Sequence, residues 1–487
     1  MSLGRELRRW ALPVILAVVA LVAWQAADRA NFDPVDIAAE PYDRGLSTPM
    51  LSARRLPHTL RAPVSDELIG AGIDQVTEQL TGQQACVVVR NGDRFLGRIQ
   101  DPETGLIPAS NQKLLTTWAG LEILGPDFTF TTRVVAPGGV AAGVVEGDLY
   151  LVGSGDPFLV TEDWLTQYQD FDGRFHTRLE DLADEIVAAG VTSITGSVIG
   201  DESLFDDQRY GPWDNRLIVQ KQSGPLSALT VNEGFVDWPD VFQASFRPRS
   251  DTDDPPLHGA SVFNQLLQER NITVGGAPGV GQAPAGATEL AAVLSPPLSD
   301  VVTHINSFSS NIGAELLLKR IGVEVAGLGT TSAGAAVVTD LLAQHGVPMQ
   351  GVLIFDGSGL SEDDRVTCGA LAAVLAEAGP DTPLGRSLAI GGIRGSLDER
   401  FVDSPATGLV LAKTGSLRGV RALSGYVLSA APSAEGRYVT FAQILNDEDI
   451  VEDNTMFAVQ EPLVEVLTGY PSGPSIEELS PRPAEPG

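Results

Sequence analysis

The spacing of apolar positions predicts strands near both ends of the chain and helices around them. Two apolar runs, 84–90 and 94–100, are joined by Asn91-Gly92-Asp93 and predict a β-hairpin. Helical spacing occurs at residues 66–80, 177–189, 261–270, 298–307, 310–321, 332–345, 368–378 and 454–468. Further strands are predicted at residues 128–135, 148–152, 193–200, 272–274, 408–413, 422–429 and 438–446. Strands from both chain ends predict one antiparallel sheet covered by helices.

The pattern of predicted elements changes twice along the chain, which predicts an insertion. From about residue 128 short β-rich runs alternate with glycine-rich turns, and long amphipathic helices resume after residue 292. Residues 28–64 lack periodicity, and the tail is rich in Pro, Glu and Ser. The predicted organisation is a signal or anchor at 1–27, a linker at 28–64, a split domain at 65–127 and 293–468, an inserted region at 128–292, and a disordered tail at 469–487.

The N-terminal segment predicts a location outside the cytoplasm. Arg5, Arg8 and Arg9 precede an apolar run from Trp10 to Trp24, as in a secretory signal. The uncharged stretch extends to Ala27, about the lower limit for spanning a bilayer. Because no clean small-x-small cleavage site follows, we favour an uncleaved membrane anchor over a cleaved signal, with the body outside in either case.

Charge and composition narrow the range of partners. The net charge of −31 argues against nucleic acid and anionic membrane surfaces, and the 43% hydrophobic content is that of a globular protein. Cys86 and Cys368 either pair in an oxidising compartment or remain two buried thiols. The five histidines are scattered and no Cys/His cluster has zinc spacing, so we expect neither a metal site nor a cofactor.

Three short motifs carry candidate chemistry. Ser110 and Lys113 open a predicted helix and lie three residues apart, which gives a weak hydroxyl nucleophile an adjacent amine as its base. Ser309-x-Asn311 opens a later helix. Lys413-Thr414-Gly415 ends a strand and is followed by Ser416. Taken singly, the three motifs are also explained, in the same order, as a chance spacing, a helix cap and a turn.

The order of these motifs resembles the set found in penicillin-binding proteins and serine β-lactamases. The long interval between Ser110 and Ser309 resembles the low-molecular-mass class C penicillin-binding proteins, the D-alanyl-D-alanine carboxypeptidase/endopeptidase family. Further similar stretches are 147–157, 200–206, 306–315, 356–361 and 365–367. The resemblance covers about residues 66–468. It implies an α+β fold, a penicillin-binding/serine β-lactamase-like transpeptidase domain with an antiparallel sheet flanked by helices and a large β-rich insertion.

The resemblance also implies a mechanism of acyl transfer on peptidoglycan stem peptides, with β-lactams as inhibitors and no metal. The implied roles are Ser110 as nucleophile, Lys113 as base, Ser309 as proton relay, Asn311 as holder of Lys113 and of the substrate amide, and Lys413, Thr414, Gly415 and Ser416 as the carboxylate site. Burial and a neighbouring Lys413 would both keep Lys113 neutral. The sequence departs from the family pattern at Ser310, Asp364 and Ser416.

Two other functions compete with a D-alanyl-D-alanine carboxypeptidase. A wall-binding protein could keep the fold and lose turnover, although the intact Ser110, Lys113, Ser309, Asn311 and Lys413 speak against that reading. A secreted β-lactamase is disfavoured by the long insertion. Carboxypeptidase and endopeptidase activities stay open, because both cleave after a D-alanine carbonyl and differ only in the leaving amine.

Overall fold

The computed structural model describes residues 56–99, 102–166, 175–237, 250–433, 436–448 and 456–481, together with Val18, Ser52 and Arg54. The predicted anchor and most of the predicted linker lie outside these residues. The α-helices are α1 (Pro57–Thr77), α2 (Gln112–Leu124), α3 (Glu162–Thr166), α4 (Leu179–Ala188), α5 (Asn215–Val219), α6 (Pro255–Glu269), α7 (Leu298–Phe308), α8 (Asn311–Ala326), α9 (Thr331–Gln344), α10 (Cys368–Ala378), α11 (Pro383–Arg386), α12 (Glu461–Thr468) and α13 (Ile476–Leu479).

The strands follow the predicted pattern of short elements in the middle and long elements near the chain ends. They are β1 (Ala85–Asn91), β2 (Arg94–Ile99), β3 (Thr131–Ala136), β4 (Val144–Val145), β5 (Leu149–Val152), β6 (Leu159–Val160), β7 (Thr177–Arg178), β8 (Ser193–Ile194), β9 (Val198–Asp201), β10 (Phe235–Asp237), β11 (Ser250–Asp251), β12 (Thr273–Val274), β13 (Gly279–Val280), β14 (Thr288–Leu294), β15 (Ala389–Ile390), β16 (Val410–Leu417), β17 (Val420–Ser433) and β18 (Gly436–Asn446). Two compact units divide the chain: Met1–Leu60 with Ser475–Gly487, and Arg61–Pro474.

Both chain ends build one antiparallel sheet in the second unit, in the order β15-β16-β17-β18-β1-β2, and this confirms the predicted fold class. Successive side chains of β1 point to opposite faces. Cys86 and Val88 join a core with α2, α7, α8 and α10, whereas Val87 and Val89 join a second core with α1 and α12. Helices therefore cover both faces of the sheet.

The strands between residues 131 and 294 pair only with one another among the described residues. The larger of their sheets has the order β13-β9-β5-β3-β14, and α4 and α6 pack into its core. Strand β14 is missing from the pattern-based prediction because Ala291 is its one buried residue, so its sequence shows no alternation. The exact limits of the inserted region stay a prediction.

Two described segments extend past boundaries that the sequence predicts. Helix α1 begins at Pro57 inside the predicted linker, because proline suits a helix start and Pro63 is tolerated within this helix. In the predicted disordered tail, Tyr470 is buried and its hydroxyl group donates to Asp66 Oδ1 at 3.1 Å. Farther along, Ser475 caps α13 through a reciprocal bond with Glu478. Local polar contacts thus order residues whose composition suggests disorder.

None of the described helices is on its own long and apolar enough to cross a membrane. The pair α8 and α9, which is bent by 73°, meets the criterion by length and composition only.

A disulfide joins the sheet to a helix on one of its faces. Cys86 lies on β1 and Cys368 begins α10; their Sγ atoms are bonded and their Cα atoms are 6.0 Å apart. This decides between the two states that the sequence left open. The bond links positions 282 residues apart, so it constrains the unfolded chain over most of the second unit.

We predict that the double variant Cys86→Ser, Cys368→Ser loses about 2–5 kcal/mol of unfolding free energy, because the unfolded chain regains its freedom. Thermal denaturation of the wild type and the variant checks this. Reductant should lower the melting temperature of the wild type toward that of the variant and leave the variant unchanged. Equal melting temperatures for the two oxidised proteins would contradict the prediction.

Candidate active site

The turn that carries Ser110 is held between two closely approaching segments. Ser110 lies in a 3₁₀ turn, Ala109–Asn111, directly before α2, and Ala109 has a φ of +47°. A Cβ atom on Gly415 would lie 2.8 Å from the carbonyl oxygen of Pro108. One on Gly359 would lie 1.9 Å from the carbonyl oxygen of Ala109. Glycine at both positions is therefore what allows the neighbouring backbones to reach this turn.

The second motif forms the junction between α7 and α8. Ser309 ends α7 in the left-handed region, with a φ of +60°. Ser310 caps α8 by accepting a hydrogen bond from the backbone N–H of Gly313 at 3.2 Å. The serine that replaces the family's usual residue here thus has a structural role, and Asn311 begins α8 with its side chain toward Lys113.

Lys113 is the centre of the site. It is fully buried, and its Nζ atom lies 2.9 Å from Ser110 Oγ, 2.7 Å from Asn311 Oδ1 and 2.7 Å from the carbonyl oxygen of Ser358. Burial lowers the pKa of Lys113 from 10.5 to about 7, although the charges of Asp356 and Glu315 oppose the shift. A substantial fraction of this amine is therefore neutral near pH 7.

Lys413 forms a second polar centre on β16. Its Nζ atom donates to Ser309 Oγ at 2.8 Å and to the carbonyl oxygen of Thr414 at 3.0 Å. Burial, and after it the charge of Lys113, lower the pKa of Lys413 well below 10.5. We expected burial and Lys413 together to keep Lys113 neutral, and burial is the largest cause of the lowered pKa for both amines.

A cavity of about 470 Å³ opens over these groups. It is lined by Ser110, Arg216, Leu217, Gln220, Gln222, Ser309, Asn311, Gly359, Leu360, Thr414, Ser416, Leu417 and Arg418. The predicted residues Thr414 and Ser416 thus line the cavity, whereas Gly415 is buried beneath it. Among the described residues that line the cavity there is neither a carboxylate nor an imidazole group. Among the described residues no group of His, Cys, Asp and Glu could hold a metal ion.

Several functional contacts escaped the sequence reasoning because they involve the backbone. Asn111 Nδ2 donates to the carbonyl oxygen of Lys413 at 3.2 Å and ties the nucleophile's turn to β16. Asn311 Nδ2 donates to the carbonyl oxygen of Gln222 at 2.6 Å. Gln222 lies in the predicted inserted region, which therefore contributes directly to the site. A backbone carbonyl leaves no signal in the sequence.

Three buried acids lie behind the site. They are Glu315, Asp356 and Asp364. Burial raises the pKa of Glu315 to about 8 and that of Asp364 well above 3.8. A protonated Asp364 resembles the asparagine that commonly stands there, because both have a donor and an acceptor. The position of Glu315, one helical turn after Asn311 on α8, was the signal in the sequence that could have placed it near the site.

Comparison with known proteins identifies the family. The model of the D-Ala-D-Ala carboxypeptidase 3 (S13) family matches residues 70–245 and 244–470. The chain belongs to this family. It is 31% identical over 443 residues to a D-alanyl-D-alanine carboxypeptidase of Actinomadura sp. strain R39, covering 75% of this chain and 78% of that protein. It is also 31% identical over 446 residues to a carboxypeptidase of Mycobacterium tuberculosis, covering 89% and 87% respectively.

Solved structures support the fold. Penicillin-binding protein 4 of Haemophilus influenzae matches with a TM-score of 0.66 and 22% identity, covering 82% of this chain and 98% of that one. Its complex with a β-lactam matches with a TM-score of 0.62 at the same identity and coverage. The match to the family model and the two relatives of 31% identity confirm the family resemblance inferred from the sequence.

We predict that Gly415→Ala lowers the rate at which a fluorescent penicillin labels the protein by at least about tenfold, because the added Cβ pushes β16 away from the turn of Ser110. Time courses of gel fluorescence measure this rate. Gly138→Ala is the matched control, since nothing lies within 4 Å of a Cβ there. Equal labelling rates for the two variants would show that the close approach is unimportant.

Proposed function

We propose that this protein is a serine-type D-alanyl-D-alanine carboxypeptidase that acts on peptidoglycan stem peptides through an acyl-enzyme, with Ser110 as nucleophile. The observation that carries the proposal is the 2.9 Å separation of Lys113 Nζ and Ser110 Oγ at the floor of an open cavity. Family membership supplies the reaction class. The close relation to proteins named D-alanyl-D-alanine carboxypeptidase supplies the substrate class.

The hydrogen bonds of Lys113 suit it to act as a base. A neutral amine has two N–H groups and one lone pair. Asn311 Oδ1 and the carbonyl oxygen of Ser358 accept hydrogen bonds from the two N–H groups. The lone pair is then left to accept the hydroxyl proton of Ser110. As Oγ attacks the carbonyl carbon of the penultimate D-alanine, this proton passes to Lys113 Nζ.

The remaining groups stabilise the tetrahedral intermediate and the leaving group. The backbone N–H groups of Ser110 and Ser416 form the oxyanion site, where each donor is typically worth about 2.7–4 kcal/mol. Lys413, Thr414 and Ser416 bind the terminal carboxylate, whose charge offsets the burial that lowers the pKa of Lys413. As the C–N bond breaks, the proton that Lys113 took from Ser110 is relayed through the hydroxyl group of Ser309, which accepts a hydrogen bond from Lys413, to the departing D-alanine nitrogen.

Water then hydrolyses the ester on Ser110 and releases the shortened peptide. A β-lactam acylates the same serine, but its ring nitrogen stays attached and blocks the exit. An endopeptidase reaction uses the same steps, with a cross-linked amine in place of D-alanine as the leaving group.

The protein acts outside the cytoplasm. Support comes from the basic and apolar N-terminal sequence and from the disulfide, since such bonds persist in oxidising compartments. The membrane is a partner only if the N-terminal segment stays uncleaved.

We predict that Ser110→Ala abolishes both penicillin labelling and D-alanine release from a pentapeptide muropeptide, whereas Ser261→Ala, an exposed serine on α6, retains both. Gel fluorescence and chromatographic detection of D-alanine measure the two activities. Wild-type labelling without D-alanine or cross-link cleavage would favour a wall-binding protein. Rapid loss of the label with release of hydrolysed penicillin would favour a β-lactamase. Labelling that survives in Ser110→Ala would exclude the assigned nucleophile.

The pH dependence follows from the pKa of Lys113. Because the neutral amine is the base and its pKa is about 7, we predict that the acylation rate is low in acid, rises through about pH 7 and then levels off. Initial rates of penicillin labelling across the stable pH range measure this profile. A rate that climbs only near the ordinary lysine pKa of 10.5 would show that Lys113 is not the base.

A further inference from the structure

The turn of residues 356–361 holds one of the three oxygen atoms around Lys113. Lys113 Nζ donates to the carbonyl oxygen of Ser358 at 2.7 Å, and Thr116 Oγ1 donates to the adjacent carbonyl oxygen of Gly357 at 2.9 Å. Because a carbonyl moves with its peptide unit, the position of the amine depends on the conformation of this turn.

Two buried acidic side chains fix that conformation by accepting hydrogen bonds from backbone N–H groups of the turn. Glu315 Oε1 accepts from Gly357 at 3.0 Å and from Ser358 at 2.8 Å, and Asp356 accepts from Gly359 at 2.6 Å and from Ser361 at 2.7 Å. The charged or titratable groups that face Lys113 are Glu315 from α8, Asp356 with Asp364 behind it, and Lys413 from β16.

A further donor to Asp356 comes from the predicted inserted region. Trp213 Nε1 donates to Asp356 Oδ2 at 2.8 Å, and the indole is buried against Ile312, Leu316 and Leu360. Trp213 does not line the cavity and touches none of the reacting atoms. Its N–H group nevertheless donates a hydrogen bond to Asp356, the first residue of the turn that contacts Lys113.

We propose that Trp213 is a positioning residue: by donating to Asp356 it holds the turn of residues 356–361 and so keeps the carbonyl of Ser358, and with it Lys113, in place for acylation. This inference rests on the proposed function. It gives the inserted region a part in catalysis.

The test compares acylation by a fluorescent penicillin in the wild type, Trp213→Phe and a protein with 3-benzothienylalanine at position 213. The last replaces the indole N–H by sulfur and keeps the ring shape, so it remains informative if Trp213→Phe does not fold. We expect the plateau rate to fall by about tenfold, as for loss of a hydrogen bond to a charged group. With the pentapeptide, kcat should fall while KM stays close to that of the wild type.

Leu226→Ala is the matched control, because Leu226 packs in the same cluster as Trp213. It should lower the melting temperature and leave the acylation rate and kcat unchanged. Wild-type acylation rates and kcat in both position-213 variants would overturn the inference, as would the same losses in Leu226→Ala. Failure of the fluorescent penicillin to label the wild-type protein at all would instead overturn the proposed function.

Discussion

A primary amine that is removed from water is the constraint on which the site depends. Lys113 is fully buried, and its ammonium form loses more hydration than the surrounding acceptors and acids restore, so its pKa falls to about 7. Three oxygen atoms then decide where the amine points. Solvent exclusion makes the neutral, proton-accepting form of the lysine available near pH 7, and the hydrogen bonds orient its lone pair toward Ser110.

Maintaining this arrangement costs stability elsewhere. Ala109 and Ser309 both adopt positive φ angles without being glycine, which costs of order 1–3 kcal/mol each. Two buried lysines interact unfavourably, and Glu315 and Asp364 are pushed toward their protonated forms. The two sheet-face cores and the disulfide supply the rigidity that keeps these strained and buried groups in place. A loosely packed scaffold would let water in and return Lys113 to its charged form.

Elements and motifs with a local signature were predictable from the sequence. The hairpin at Asn91-Gly92 and the helices after residue 298 follow from turn chemistry and apolar spacing, and the three motifs specify their own local structure. The contacts that assemble the site were not predictable in this way. Trp213 and Asp356, or Gln222 and Asn311, are far apart in the chain and meet only through the fold. Tyr470 likewise orders the start of a tail whose composition suggests disorder.

The pKa of Lys113 can be measured directly, because the chain contains only four lysines. Carbon-13 labelling of the lysine Cε atoms followed by NMR titration would resolve each amine, with Lys113→Arg assigning its resonance. We expect this resonance to titrate with a midpoint of about 7, so that about half of the Lys113 amine is neutral at pH 7. A Lys113 resonance that stays in the ammonium form up to the ordinary lysine pKa of 10.5 would contradict it.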